Sequence, residues 1–137
     1  MSRRLAHNDY VAMAAFRYHL RRFLHFSKEY LAGQAGLTPE QYEALLAIKS
    51  FAPQAGLPVG HLSERLQVRH HTTVALTNKL VARGLVTKER SSIDRRLVYV
   101  RLTRSGEKQL AAVVRVHRQT LRERSPDMIA ALTILKS

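Results

Sequence analysis

Residues 59–102 read VGHLSERLQVRHHTTVALTNKLVARGLVTKERSSIDRRLVYVRL, and the hydrophobic period changes partway along them. From Gly60 to Gln67 the apolar residues Leu62 and Leu66 stand four apart, the spacing of one helical face. After a turn at VRH (68–70), a second helical pattern runs from His71 to Arg83 and stops at Gly84, a residue suited to closing a helix. Two short helices joined by a tight turn give a helix-turn-helix outline. Beyond Gly84 the period falls to two. LVTKER (85–90) and RLVYVRL (96–102) read as strands, with Val98, Val100 and Leu102 on one face and Leu97, Tyr99 and Arg101 on the other. SSID (91–94) forms the hairpin tip between them.

Working outward, His7 to Gly33 carries a long helical pattern. Phe16, Leu20, Phe23 and Tyr30 follow three- and four-residue steps, while Arg17, Arg21 and Lys28 fall on another face. AGQAG ends it. TPEQYEALLAI opens the next helix, with Thr38 as N-cap, Pro39 first in the helix and Gln41 at the capping-box position. APQAGLP (52–58) is a break. Downstream, Thr103 caps a helix whose seam is Leu110, Val114, His117 and Leu121. Ser125–Pro126 then starts a separate last helix carrying Ile129, Leu132 and Leu135. The expected fold class is mainly α with a small β-hairpin wing (α+β). It is a single winged helix-turn-helix subunit over 1–137, with the winged helix at about 38–103. Flanking helices at about 5–33 and 104–137 are suited to dimerisation, because their apolar faces need more cover than a monomer of this size supplies.

The 137 residues include 23 Lys and Arg against 10 Asp and Glu, a formal charge of +13. Such a field favours polyanions, nucleic acid ahead of an acidic membrane surface. There is no cysteine, which excludes disulfides, thiolate metal sites and cysteine redox switching and fits a reducing cytoplasm. The basic N-terminal segment is interrupted by Arg17, His19, Arg21 and Arg22, unlike a signal peptide, and no apolar run approaches a membrane span. His70 and His71 are neighbours, and adjacent helical residues point about 100° apart, so they cannot chelate one ion together. His7, His19, His25 and His117 read as packing histidines. Glu29, Glu40 and Glu43 pair with no nucleophile at catalytic spacing, and no glycine-rich phosphate loop follows a strand. Neither an enzyme, a metal nor a cofactor is called for.

A helix-turn-helix followed by a basic hairpin has a mechanical reading. The second helix fits a major groove about 12 Å wide, and the hairpin reaches the flanking minor groove. Arg95 and Arg96 suit that duty, because a narrow A·T minor groove concentrates negative potential. Asp94 can accept from the Arg96 guanidinium and aim it before DNA arrives. The plainer reading makes Asp94 an Asx-turn residue beside solvated arginines.

With these residues in view, the chain resembles the MarR-type transcriptional regulators. The marks are Leu62 and Leu66, KLVARGLV (79–86), DRR (94–96) and LTRSG (102–106). The resemblance implies a cytoplasmic bacterial regulator, a homodimer whose terminal helices interlock. It would grip a pseudo-palindromic operator in double-stranded DNA, commonly to repress, and release it when a small aromatic effector binds. Carried over by position, Arg69, His70, His71, Thr72 and Thr73 lie at the end of the recognition helix entering the groove. Asn78 and Lys79 match a polar–basic pair farther along, and Ser91, Ser92, Asp94, Arg95 and Arg96 form the wing. Ala75 departs from the pattern, since many members carry arginine there, and Val74 stands where a hydroxyl is frequent. Base reading then falls to His71, Thr72 and Thr73, or DNA shape carries more of it. Phe16, His19 and Phe23 are candidates for the effector pocket; an aromatic stripe at helical spacing is also what a core or dimer seam looks like. Two other classes fit the basic face: a non-specific architectural nucleic-acid binder, and a winged module that holds an acidic protein.

Overall fold

The computed structural model describes residues 4–51 and 55–137, so residues 52–54 of the expected break lie outside the described part. The elements are α1 (His7–Tyr30), a π-helical turn (Leu31–Ala35), α2 (Pro39–Phe51), β1 (Leu57–Pro58), α3 (Val59–Leu66), α4 (His70–Ala82), β2 (Val86–Arg90), β3 (Val98–Leu102) and α5 (Arg104–Lys136). The chain divides into two compact units, one of Leu31–Val113 and one built from α1 and Val114–Ser137. The fold is a winged helix, mainly α with a small antiparallel sheet.

In the Leu31–Val113 unit, local chemistry sets the ends of the elements. The capping box forms as the sequence requires: the Gln41 N–H donates to Thr38 Oγ1 at 3.1 Å, and the Thr38 N–H donates to Gln41 Oε1 at 3.0 Å. Gly84, at φ 72°, closes α4 with paired bonds, Leu85 N–H to the Leu80 carbonyl at 3.1 Å and Gly84 N–H to that of Val81 at 2.9 Å. α3 ends in the same way, but its left-handed residue is Gln67, at φ 57°. This backbone costs a side chain about 1 kcal/mol that glycine avoids.

The sheet has the order β1-β3-β2 and is antiparallel throughout. Two strands were expected and are found, paired Val86↔Leu102 through Arg90↔Val98. The third, Leu57–Pro58, pairs with Val100 and Tyr99. At two residues it is too short to show alternation, and only its partner defines it. Val100 lies at the centre of the sheet and is fully buried, with Leu57 and Val86. Leu31, Leu45, Ile48, Leu62 and Leu80 complete the interior.

Thr103 caps α5 as expected, accepting the Gly106 N–H at 3.0 Å while its own hydroxyl donates to the Gly84 carbonyl at 2.6 Å. This lays the first turn of α5 against the exit of α4. A Cβ on Gly106 would stand 2.0 Å from the Leu85 carbonyl oxygen, so the glycine of LTRSG is a packing requirement.

In the other unit, His117 is 4% exposed and its Nε2 lies 2.7 Å from Ser27 Oγ. The rings of Phe23, Phe26 and Tyr30 surround it at 5.7–6.0 Å. His117 is thus the packing histidine expected, and His19 is half-buried against Tyr18. His7 and His25 are not; both are exposed, and His25 meets Glu29 at 3.2 Å. The separate last helix expected from Ser125–Pro126 is also absent, since α5 runs through Pro126 to Lys136. The covered stripe His117, Thr120, Arg124, Met128 and Ala131 keeps a three- and four-residue step across the proline. Packing along one unbroken face outweighs the bond that proline cannot donate.

Candidate nucleic-acid interface

α4 buries Thr73, Thr77 and Leu80, and turns Arg69, His70, His71, Thr72, Ala75, Asn78 and Lys79 to solvent. Two buried threonines in a helix core would be costly with idle hydroxyls. Here Thr77 Oγ1 donates to the Thr73 carbonyl at 2.7 Å. Ser63 Oγ of α3 donates to Thr73 Oγ1 at 2.8 Å, and Thr73 Oγ1 in turn donates to the Arg69 carbonyl at 3.3 Å. Thr73 therefore corrects one expectation. With 0% exposure it offers no surface contact; its hydroxyl joins α3 to α4. The family resemblance, aligned on Leu80 and Gly84, placed it at the groove end, but steps of four to Thr77 and three more to Leu80 put it on the buried stripe.

Asn78 is exposed, but its Oδ1 accepts from Lys88 Nζ of β2 at 2.8 Å, which braces the wing strand against the recognition helix. Lys88 went unnoticed in the sequence because its partner lies across a turn and out of any local pattern. His61, His70 and Val74 face Lys88, Arg96 and Val98 across one cleft of about 220 Å³. The wing arginine and the recognition helix thus border the same surface.

The wing tip is built from nested short-range bonds. Ser91 donates its N–H to the Leu97 carbonyl at 2.9 Å, and its Oγ accepts the N–H groups of Ile93 at 3.2 Å and Asp94 at 3.1 Å. The Leu97 N–H closes a turn on the Asp94 carbonyl at 3.0 Å. Asp94 Oδ1 accepts the Arg96 N–H at 3.0 Å, the Asx-turn bond. The same carboxylate also receives the guanidinium two-pronged, Nε to Oδ1 and Nη2 to Oδ2, both at 3.1 Å. The two readings of Asp94 coexist. Turn chemistry holds the carboxylate, and the carboxylate holds the fork. The Arg96 side chain and N–H keep the Asp94 carboxyl below its ordinary pKa, which favours the carboxylate that accepts these bonds. Arg96 remains 90% exposed while held. Arg90 donates a further guanidinium bond to the Arg95 carbonyl. Ser92 and Arg95 are exposed, and Ser91 and Asp94 are half-buried in the turn.

Residues 35–97 match the MarR family model. Over that stretch the chain is similar to the MarR family. No curated protein matches by sequence. Among solved structures, the chain is similar in fold to AbsC, a MarR family transcriptional regulator from Streptomyces coelicolor (TM-score 0.75, 21% identity, 93% of this chain and 84% of AbsC). It is also similar to MepR, a transcription regulator of the Staphylococcus aureus multidrug efflux pump MepA (TM-score 0.74, 25% identity, 88% of this chain and 92% of MepR). A single-residue variant of MepR bound to an oligodeoxyribonucleotide matches with TM-score 0.69 and 25% identity over 90% of this chain and 94% of that one.

The expected effector residues Phe16, His19 and Phe23 have different surroundings. Phe16 lines a shallow groove along α1 with Arg17, Leu20, Arg21, Leu24 and Lys28. His19 packs edge-on to Tyr18 at 5.2 Å, and Phe23 edge-on to His117 at 5.7 Å. Among the described residues no His, Asp and Glu cluster could hold a metal, and no helix is long and apolar enough to cross a membrane.

Proposed function

We propose that this chain is a sequence-specific regulator of transcription that binds double-stranded DNA as a homodimer and represses from a pseudo-palindromic operator. The observation that carries the reading is the Asp94–Arg96 fork, held rigid yet 90% exposed at Arg96, beside a recognition helix braced to the same wing by Lys88 and Asn78. A preformed fork loses little ordering entropy on meeting phosphate or a groove edge. Arg69, His70, His71, Thr72 and Lys79 of α4, with Ser92 and Arg95 of the wing, supply the remaining contacts, and Ala75 offers a methyl to thymine. Dimerisation is supported by Leu5, Tyr10, Val11, Met13, Leu24, Ile129 and Leu132, large apolar side chains left exposed just before α1, along it and at the end of α5. The basic, apolar-floored groove at Phe16 suits an aromatic anion as effector.

The test is a gel shift on fragments the protein selects from its own genome, with Arg96→Ala as the variant. Affinity at physiological salt should fall about ten- to a hundredfold and the salt slope by about one per wing, with fold and dimer intact. Unchanged affinity would remove the wing from the reading. A non-specific architectural binder is the second reading, supported by the charge of +13 and the alanine at position 75. It predicts that bulk DNA competes every duplex away equally, whereas specific sites hold roughly 10³–10⁷ tighter.

A further inference from the structure

Ile93 stands at the tip of the wing, 97% exposed, far beyond any other large apolar side chain described. Its backbone is not loose. Ser91 Oγ takes the Ile93 N–H at 3.2 Å and the Asp94 N–H at 3.1 Å, and the Asp94–Leu97 turn closes immediately behind it. The Arg90 guanidinium ties the far side of the tip at Arg95, and the Asp94 carboxylate ties Arg96. The backbone on either side of Ile93 is thus bonded within the tip, and the isoleucine side chain is delivered to solvent beside the exposed Arg95 and Arg96.

Resting on the DNA-binding reading above, we propose that Ile93 is an apolar wedge that the wing presses into the minor groove, giving preference for easily deformed pyrimidine–purine steps. Polyanion binding by charge alone explains Arg95 and Arg96 but gives no use for a β-branched apolar residue at the point of closest approach. Two physical facts join here. The minor groove is walled by deoxyribose C–H groups, and branched aliphatic side chains inserted from it unstack a base step and bend the duplex. That deformation is least costly at TA and CA steps and most costly in stiff A-tracts. The arginine pair supplies attraction to the groove, and the locked turn keeps the wedge from folding back. Seating an isoleucine side chain out of water is worth about ten- to a hundredfold in affinity.

This sets the sign of a preference. An arginine-led wing favours the narrow groove of an A-tract, whereas a wedge favours alternating TA. The probes are two duplexes of about 20 base pairs, one alternating d(TA) and one a dA·dT tract, compared by fluorescence anisotropy at low salt. A 2-aminopurine in the alternating duplex reports unstacking. The intact protein should bind alternating d(TA) about tenfold tighter and raise the 2-aminopurine emission. Ile93→Ser, harmless to the fold at so exposed a site, should lose both effects while still binding. Arg96→Ala should weaken both duplexes together. If Ile93→Ser matches the intact protein on both probes, or the intact protein prefers the A-tract, the wedge is refuted. If the intact protein binds neither duplex at low salt, the DNA-binding reading itself fails.

Discussion

Leu31, Leu45, Ile48, Leu62, Leu80, Val86 and Val100 close the interior of the Leu31–Val113 unit, whereas the described residues buried in the unit of α1 and Val114–Ser137 are Asp9, Ala12, Ser27, His117, Thr120 and Ala131. The first list is a hydrophobic core. The second is small and polar residues with one histidine among them, and several larger apolar groups of that unit, Leu5, Tyr10, Val11 and Leu24, lie exposed. At roughly 25 cal/mol per Å² of buried apolar surface, stability follows the first list. The winged-helix unit supplies its own cohesion and can present a rigid wing. The other unit has apolar surface still to cover, and a second copy of the chain supplies that cover in the proposed dimer.

The sharpest way to break this contrast is to place charge on the uncovered face. Ile129→Glu combined with Leu132→Glu should raise the dimer dissociation constant about a thousandfold, since unpaired carboxylates would enter an apolar interface. Sedimentation velocity would read the change in mass, and hydrogen exchange should show protection lost in α1 but kept in β3. Equal protection in both places would abolish the contrast between self-sufficient and dependent units. Next in size is Gly106→Ala, aimed at the self-sufficient unit. A methyl 2.0 Å from the Leu85 carbonyl must push α5 off the end of α4. The expected loss is about 3 kcal/mol in chemical denaturation. A loss below about 1 kcal/mol would mean this packing is slack. Smallest is a gain. Gln67→Gly relieves the left-handed backbone that closes α3 and should stabilise by about 0.5–1 kcal/mol, a rise of a few degrees in Tm by calorimetry. No rise would show that the Gln67 side chain offsets its own strain.

Much of the winged-helix unit was legible because its signals are local. Thr38 and Gln41, Gly84, Thr103 and the DRR run each act within five residues of their partners, and each appears where the sequence places it. Less of the candidate interface could be read. Thr73 looked like a contact residue but is buried, because helical spacing alone does not say which face meets α3. Lys88 passed unnoticed because its acceptor, Asn78, sits on another element. Pro126 suggested a break because its cost is local, while the stripe that outweighs it spans four turns.

By itself the sequence determined the order of elements, the caps and turns, and the charged tip, because those depend on dihedral preference and on hydrogen bonds between near neighbours. Tertiary structure alone decided which face of α4 is offered, which carbonyl demands a glycine at position 106, and that Leu57–Pro58 is a strand. Such outcomes depend on distances between residues far apart in the chain, and a spacing pattern carries no information about those.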